Sequence, residues 1–88
     1  MHCILVYDVH QKRVAKLHRY MQQKLYWMQN STFAGELSDH QKKLLFQDTA
    51  RFLDQENDSL ILFLTRDPLA WRRTVLGYDK SALDGVLL

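Results

Sequence analysis

Two short segments of this chain are apolar at consecutive positions, and they restrict its fold more than any other feature. Cys3-Ile4-Leu5-Val6-Tyr7 and Leu60-Ile61-Leu62-Phe63-Leu64 run without a polar interruption. Each is short, bounded by polar residues and rich in branched or aromatic side chains, so His2 to Asp8 and Ser59 to Thr65 read as strands. Side chains alternate along a strand. Cys3, Leu5 and Tyr7 therefore point one way and Ile4 and Val6 the other; Leu60, Leu62 and Leu64 oppose Ile61 and Phe63. An open antiparallel sheet with one wet face would alternate apolar with polar. Both faces of these strands need a cover, in a chain of 88 residues.

The remaining segments supply one cover. Val14, Leu17, Met21 and Leu25 recur at helical spacing among Lys and Arg, so Gln11 to Lys24 reads as an amphipathic helix. Tyr26 to Leu37 reads as two short strands around Asn30 and Ser31. Ser38 opens a second helix, in capping-box spacing with Gln41, and Leu45, Thr49, Phe52 and Leu53 form its inner face. Asp54 to Asp58 is an acidic turn, and Arg72 to Leu76 is a last short strand. The order is βαββαβ with an additional C-terminal strand, an α+β ferredoxin-like arrangement with both helices on one sheet face. The domain spans 1–77 and leaves a tail, 78–88. The helices leave the other face open, and a second copy is the natural cover. The expectation is a homodimer packed sheet to sheet. A domain this small is marginal alone, and a single cysteine, Cys3, excludes an intrachain disulfide.

That lone cysteine suits a reducing cytosol, where its ordinary role is a small buried residue. The run Cys3 to Tyr7 is far shorter than the apolar core of a signal peptide. No stretch approaches the ~20 apolar residues of a membrane span. The expectation is a soluble, cytoplasmic protein with no membrane association. Net charge is only +2, but it is unevenly spread. Val9 to Gly35 holds five basic residues (Lys12, Arg13, Lys16, Arg19, Lys24) and no acid, whereas Glu36 to Asp58 holds six acids and three bases. A basic face is the footprint of a phosphate-binding surface, and also an ordinary solvated helix face.

Asp8 is the first chemical candidate. It ends the first strand on the side of Ile4 and Val6, so a dimer closed over that side would bring two Asp8 carboxylates together. Such a pair shares a proton or holds a cation such as Mg²⁺. Capping of the following turn or helix is the ordinary alternative. His2, His10, His18 and His40 show no metal-ligand spacing. His18 reads as solvated, and His10 as a surface turn residue close enough in sequence to Asp8 to move a proton. Tyr26, Trp27 and Phe33 read as core, with base stacking as the alternative. No Gly-rich phosphate loop or serine nucleophile motif is present.

Four blocks carry a resemblance. Ile4-Leu5-Val6-Tyr7-Asp8-Val9 with Lys12-Arg13-Val14-Ala15-Lys16, then Trp27 to Leu37, then Asp58-Ser59-Leu60-Ile61-Leu62-Phe63, and last Val75-Leu76-Gly77 resemble, in order and spacing, the CRISPR-associated adaptation family of the second Cas protein. Thr32 and Ala34 depart from its usual valine and glutamate. The resemblance implies a ferredoxin-like homodimer, with Asp8 as catalytic residue and Mg²⁺ ligand, one from each protomer. It also implies a nuclease on RNA or DNA, and a subunit that bridges dimers of the integrase subunit during spacer acquisition. Lys12, Arg13, Lys16 and Arg19 are the expected contacts to the nucleic-acid backbone. A stand-alone toxin-like ribonuclease and a non-catalytic interaction module remain as alternatives.

Overall fold

A computed structural model describes residues 1–67 and 70–77. Seven elements follow one another: β1 (His2–Asp8), α1 (Gln11–Gln22), β2 (Tyr26–Gln29), β3 (Thr32–Glu36), α2 (Asp39–Ala50), β4 (Ser59–Thr65) and β5 (Arg72–Gly77). The strands form one sheet in the order β2-β3-β1-β4-β5, with every neighbouring pair antiparallel. This is the expected ferredoxin-like α+β fold with a fifth strand added beside β4. The expected tail, 78–88, lies outside the described residues. No helix among the described residues is long and apolar enough to cross a membrane.

The helix ends follow from local chemistry. His10 caps α1 with a ring nitrogen, Nδ1, which accepts from the Lys12 backbone N–H at 3.1 Å. Ser38 and Gln41 form the expected capping box, with bonds of 3.1 and 2.8 Å. The first helix stops two residues earlier than its periodicity predicts, because Lys24 and Leu25 both turn their N–H groups back to the Met21 carbonyl. The second ends at Ala50, so Phe52 and Leu53 pack from the turn beyond it. At the β2–β3 tip Asn30 takes φ +46°, a left-handed conformation that asparagine tolerates better than most residues.

The two faces of the sheet differ as the alternation requires. Cys3, Leu5, Tyr7, Leu60, Leu62 and Leu64 join Leu17 and Met21 of α1 and Leu45 of α2 in one buried cluster around Phe33. The strand register places Ile4 beside Ala34 and Phe63, and Val6 beside Ile61, which in turn meets Val75, all on the opposite face. Ile4 is 36% exposed, and Val6, Ile61, Phe63 and Val75 are half-buried. Trp71 reaches this face and shares a depression with His2, Ile4 and Ala34. The apolar row is thus only partly covered by the chain's own described residues.

Gly77 closes β5 where it meets Asp58 and Ser59. Its φ is +84°, and a Cβ there would lie 2.2 Å from the Asp58 carbonyl oxygen. Gly77→Ala is expected to cost about 2 kcal/mol, through both the backbone conformation and the collision. Urea unfolding should show a lower midpoint with an unchanged slope. An unaltered midpoint would mean that β5 does not lie against β4 in this way.

Candidate functional site

Asp8 is the last residue of a central strand, exposed, and opposite Ser59 in the register. It lines a depression with Tyr7, Val9, Val14, Asn30 and Ser31. The hairpin tip is held there by a bond from the Tyr7 N–H to the Ser31 carbonyl, 3.1 Å. Asp8, Asn30 and Ser31, three residues with side-chain oxygens, are therefore among the lining of one hollow. That is a hard donor set, suited to Mg²⁺ rather than to a soft metal. Among the described residues no group of three or more His, Cys, Asp or Glu is placed to hold a metal. Among the described residues that line this hollow, Asp8 is the one carboxylate. Mg²⁺ accepts such a sparse set, because it keeps much of its water. His10, rather than Asp8, caps the helix. Because its Nδ1 accepts from Lys12, a neutral ring carries its proton on Nε2.

The four basic residues expected on α1 divide three to one. Lys12, Lys16 and Arg19 are exposed and, spaced by four and three residues, share one side of the helix. The Lys16 ammonium sits 4.8 Å above the Phe52 ring, a cation–π contact that holds the charge in place without neutralising it. Arg13 lies a quarter-turn away and points inward. Its Nε donates to Asp58 Oδ2, and its Nη2 to Oδ1 at 3.0 Å.

Asp58 itself is fully buried. It also accepts from the backbone N–H groups of His10 and Asp54, each at 2.9 Å. Burial alone would raise its pKa. The Arg13 guanidinium and the two backbone donors outweigh that and hold it at about 2. This pair escaped the sequence reading. Its available signal was the carboxylate set directly before an unbroken apolar strand, a place that demands a partner.

Two expectations about aromatic residues are overturned. Tyr26 is 78% exposed and Trp27 is 53% exposed, whereas Phe33 alone is core. β2 is an edge strand, and among the described residues no strand lies on its outer side to bury them. His18 is not simply solvated. Its Nδ1 lies 3.4 Å from the Tyr7 hydroxyl, and its ring meets Trp27 and Phe33 edge to face at 5.4 and 5.1 Å.

Residues 1–70 match the family described as CRISPR associated protein Cas2. A protein of Methanothermobacter thermautotrophicus named CRISPR-associated endoribonuclease Cas2 is 38% identical over 87 residues, which span 99% of this chain and 96% of that one. One of the same name from Thermotoga maritima is 35% identical, over 92% of this chain and 93% of the relative. A solved structure described as the crystal structure of cas2 superposes with a TM-score of 0.73 at 37% identity, covering 92% of this chain and 91% of the other.

The Asp58 junction should report itself through pH. Its folded pKa of about 2 lies below the ordinary value of 3.8. Its contribution is therefore complete above about pH 4, and is lost as the pH falls toward 2. The difference corresponds to about 2 kcal/mol. Asp58→Ala, which strands the Arg13 guanidinium, should cost about 3 kcal/mol at pH 7. The gap between variant and wild type in urea melts should narrow as the pH approaches 2. A gap of constant size would show that the ionised Asp58 does not hold this junction.

Proposed function

The chain belongs to the CRISPR-associated protein Cas2 family, and from that membership we propose that it is a CRISPR-associated nuclease whose metal site is completed by a second copy of itself. The observation that carries this reading is the position of Asp8. It ends the central strand on the partly covered apolar face and lines a hollow bordered by oxygen donors. A two-fold mate over Ile4, Val6, Ile61 and Phe63 would bury that row and set one Asp8 from each protomer toward the axis.

Asp8 of each protomer would hold Mg²⁺, with Asn30 and Ser31 beside it. A bound Mg²⁺ supplies a polarised water and offsets charge on the phosphate being cleaved. The protein's own part is positional. Asp8 fixes the cation at the strand end, and the 8–10 segment is kept in place by the bond from the His10 N–H to Asp58. Lys12, Lys16 and Arg19 attract the polyanion and set its path, without reading its sequence. The names of the relatives favour RNA as substrate, and the same basic side would bind a DNA backbone. The resemblance to the adaptation family extends the proposal to a dimer that bridges integrase dimers during spacer acquisition.

Cleavage of labelled single-stranded RNA and of duplex DNA, with and without Mg²⁺, tests the site. Wild type should cleave only with Mg²⁺. Asp8→Ala should lose at least about a hundredfold in rate while keeping its melting temperature, because Asp8 is exposed. Sedimentation should show a dimer for both. Equal cleavage by wild type and variant would remove Asp8 from the chemistry, and a clean monomer at micromolar concentration would remove the shared-cation geometry.

A further inference from the structure

We propose that the Trp27 indole is a stacking site for one unpaired nucleobase of a single strand whose backbone follows α1 past Asp8. The proposal rests on the reading of Asp8 and the α1 basic side as a nucleic-acid site, and adds a base-binding position to it.

The indole is open and held in orientation at once. It is 53% exposed, yet its Nε1–H donates to the Asn30 carbonyl at 2.9 Å. The His18 ring meets it edge to face, with centroids 5.4 Å apart at 75°. With its only donor used internally, what the indole offers to solvent is an apolar π surface. A pre-oriented aromatic of this kind is what a base requires, since stacking needs a fixed plane and no hydrogen-bond pattern.

Three further observations choose the occupant. Trp27 pairs in register with Phe33, which is buried in the helix-side core. It therefore lies on the face opposite Ile4 and Val6, and a dimer mate closing that face would not cover it. The chain from Val9 to Gly35, which builds α1, β2 and most of β3, contains basic residues and no acid, a surface complementary to a polyanion. Asn30, which fixes the indole, also lines the hollow that holds Asp8. Base stack and carboxylate are thus two sides of one hairpin tip. A duplex keeps its bases stacked on each other and has no free face to give, so this position distinguishes an unpaired strand from a paired one.

The test uses the full-length protein without Mg²⁺, so binding is read apart from cleavage. Trp71→Phe leaves Trp27 as the sole indole of the chain's two. Short oligouridylate and oligothymidylate should each quench its fluorescence on binding, whereas a duplex of equal length should bind without comparable quenching. By anisotropy of labelled strands, Trp27→Ala should weaken single-strand affinity about tenfold and leave duplex affinity unchanged. Trp27→Phe, which keeps an aromatic face, should restore most of the loss, and circular dichroism melts should show both variants folded. Quenching by RNA alone would assign the strand as RNA and support the site. Equal quenching by duplex, tight single-strand binding without quenching, or full affinity in Trp27→Ala would overturn the stacking site while leaving the basic side intact. If neither strand nor duplex binds, and reversal of Lys12, Lys16 and Arg19 to Glu changes nothing, the basic-side reading falls and the stacking site with it.

Discussion

The buried Asp58 carboxylate is the joint on which the rest of the molecule turns. It accepts from Arg13 twice, from the N–H of His10 and from the N–H of Asp54. Four donors thus converge from the start of α1 and from the turn before β4. An ionised group without access to water would cost several kcal/mol, and it persists here because its lone pairs are filled by oriented donors. The same residue's carbonyl is approached by Gly77, so the end of β5 is fitted against it as well. Helix, turn and two strands therefore share one point. Replacing the ion pair by an apolar pair would leave the His10 and Asp54 N–H groups without their acceptor, so the charge does more than fill space.

This joint also determines what α1 can offer a ligand. Arg13 is the one basic residue of the helix that sequence spacing sets off the stripe of Lys12, Lys16 and Arg19, and it is the one taken inward. The basic side of α1 thus carries three outward charges instead of four. The fourth acts through structure, because the segment that carries Asp8 into α1 passes through His10, whose backbone is tied to the same carboxylate. Loss of nucleic-acid binding on changing Arg13 would therefore mix a lost contact with a displaced Asp8, whereas changes at Lys12 or Arg19 would not.

Much of the fold was legible because it rests on local rules. The doubly apolar β1 and β4, the Ser38–Gln41 box and the turn at Asn30 each follow from a few neighbouring residues. The position of Asp8 followed too, since the two-residue period of a strand assigns it to the side of Ile4 and Val6. What was not legible depends on neighbours distant in sequence. Arg13 and Asp58 are 45 residues apart, and nothing local says that one charge in a basic run will be withdrawn. Tyr26 and Trp27 looked like core because aromatic residues usually are; their exposure is set by β2 being at the sheet edge, a property of the strand order. His18 was misread in the opposite sense. A helix with polar neighbours suggested solvent, yet its ring fills the gap between Tyr7, Phe33 and Trp27.

The two carboxylates nearest the proposed site thus have opposite physical roles, and this bears on how any loss of activity should be read. Asp58 is buried, held ionised by its donors, and necessary to the junction, so its removal disturbs stability first and activity by consequence. Asp8 is exposed at a strand end and lies at the border of the face that a second copy would close, so under the proposed metal site its removal would affect chemistry first. A small chain gains from this separation. The buried Arg13–Asp58 joint holds the scaffold within each protomer, while the proposed metal site would draw on the exposed Asp8 of two copies. If the metal is shared as proposed, dimerisation and metal binding would be linked. Whatever strengthens cover over Ile4, Val6, Ile61 and Phe63 should also raise affinity for the cation, and the cation should in turn oppose dissociation by screening two like charges held close together.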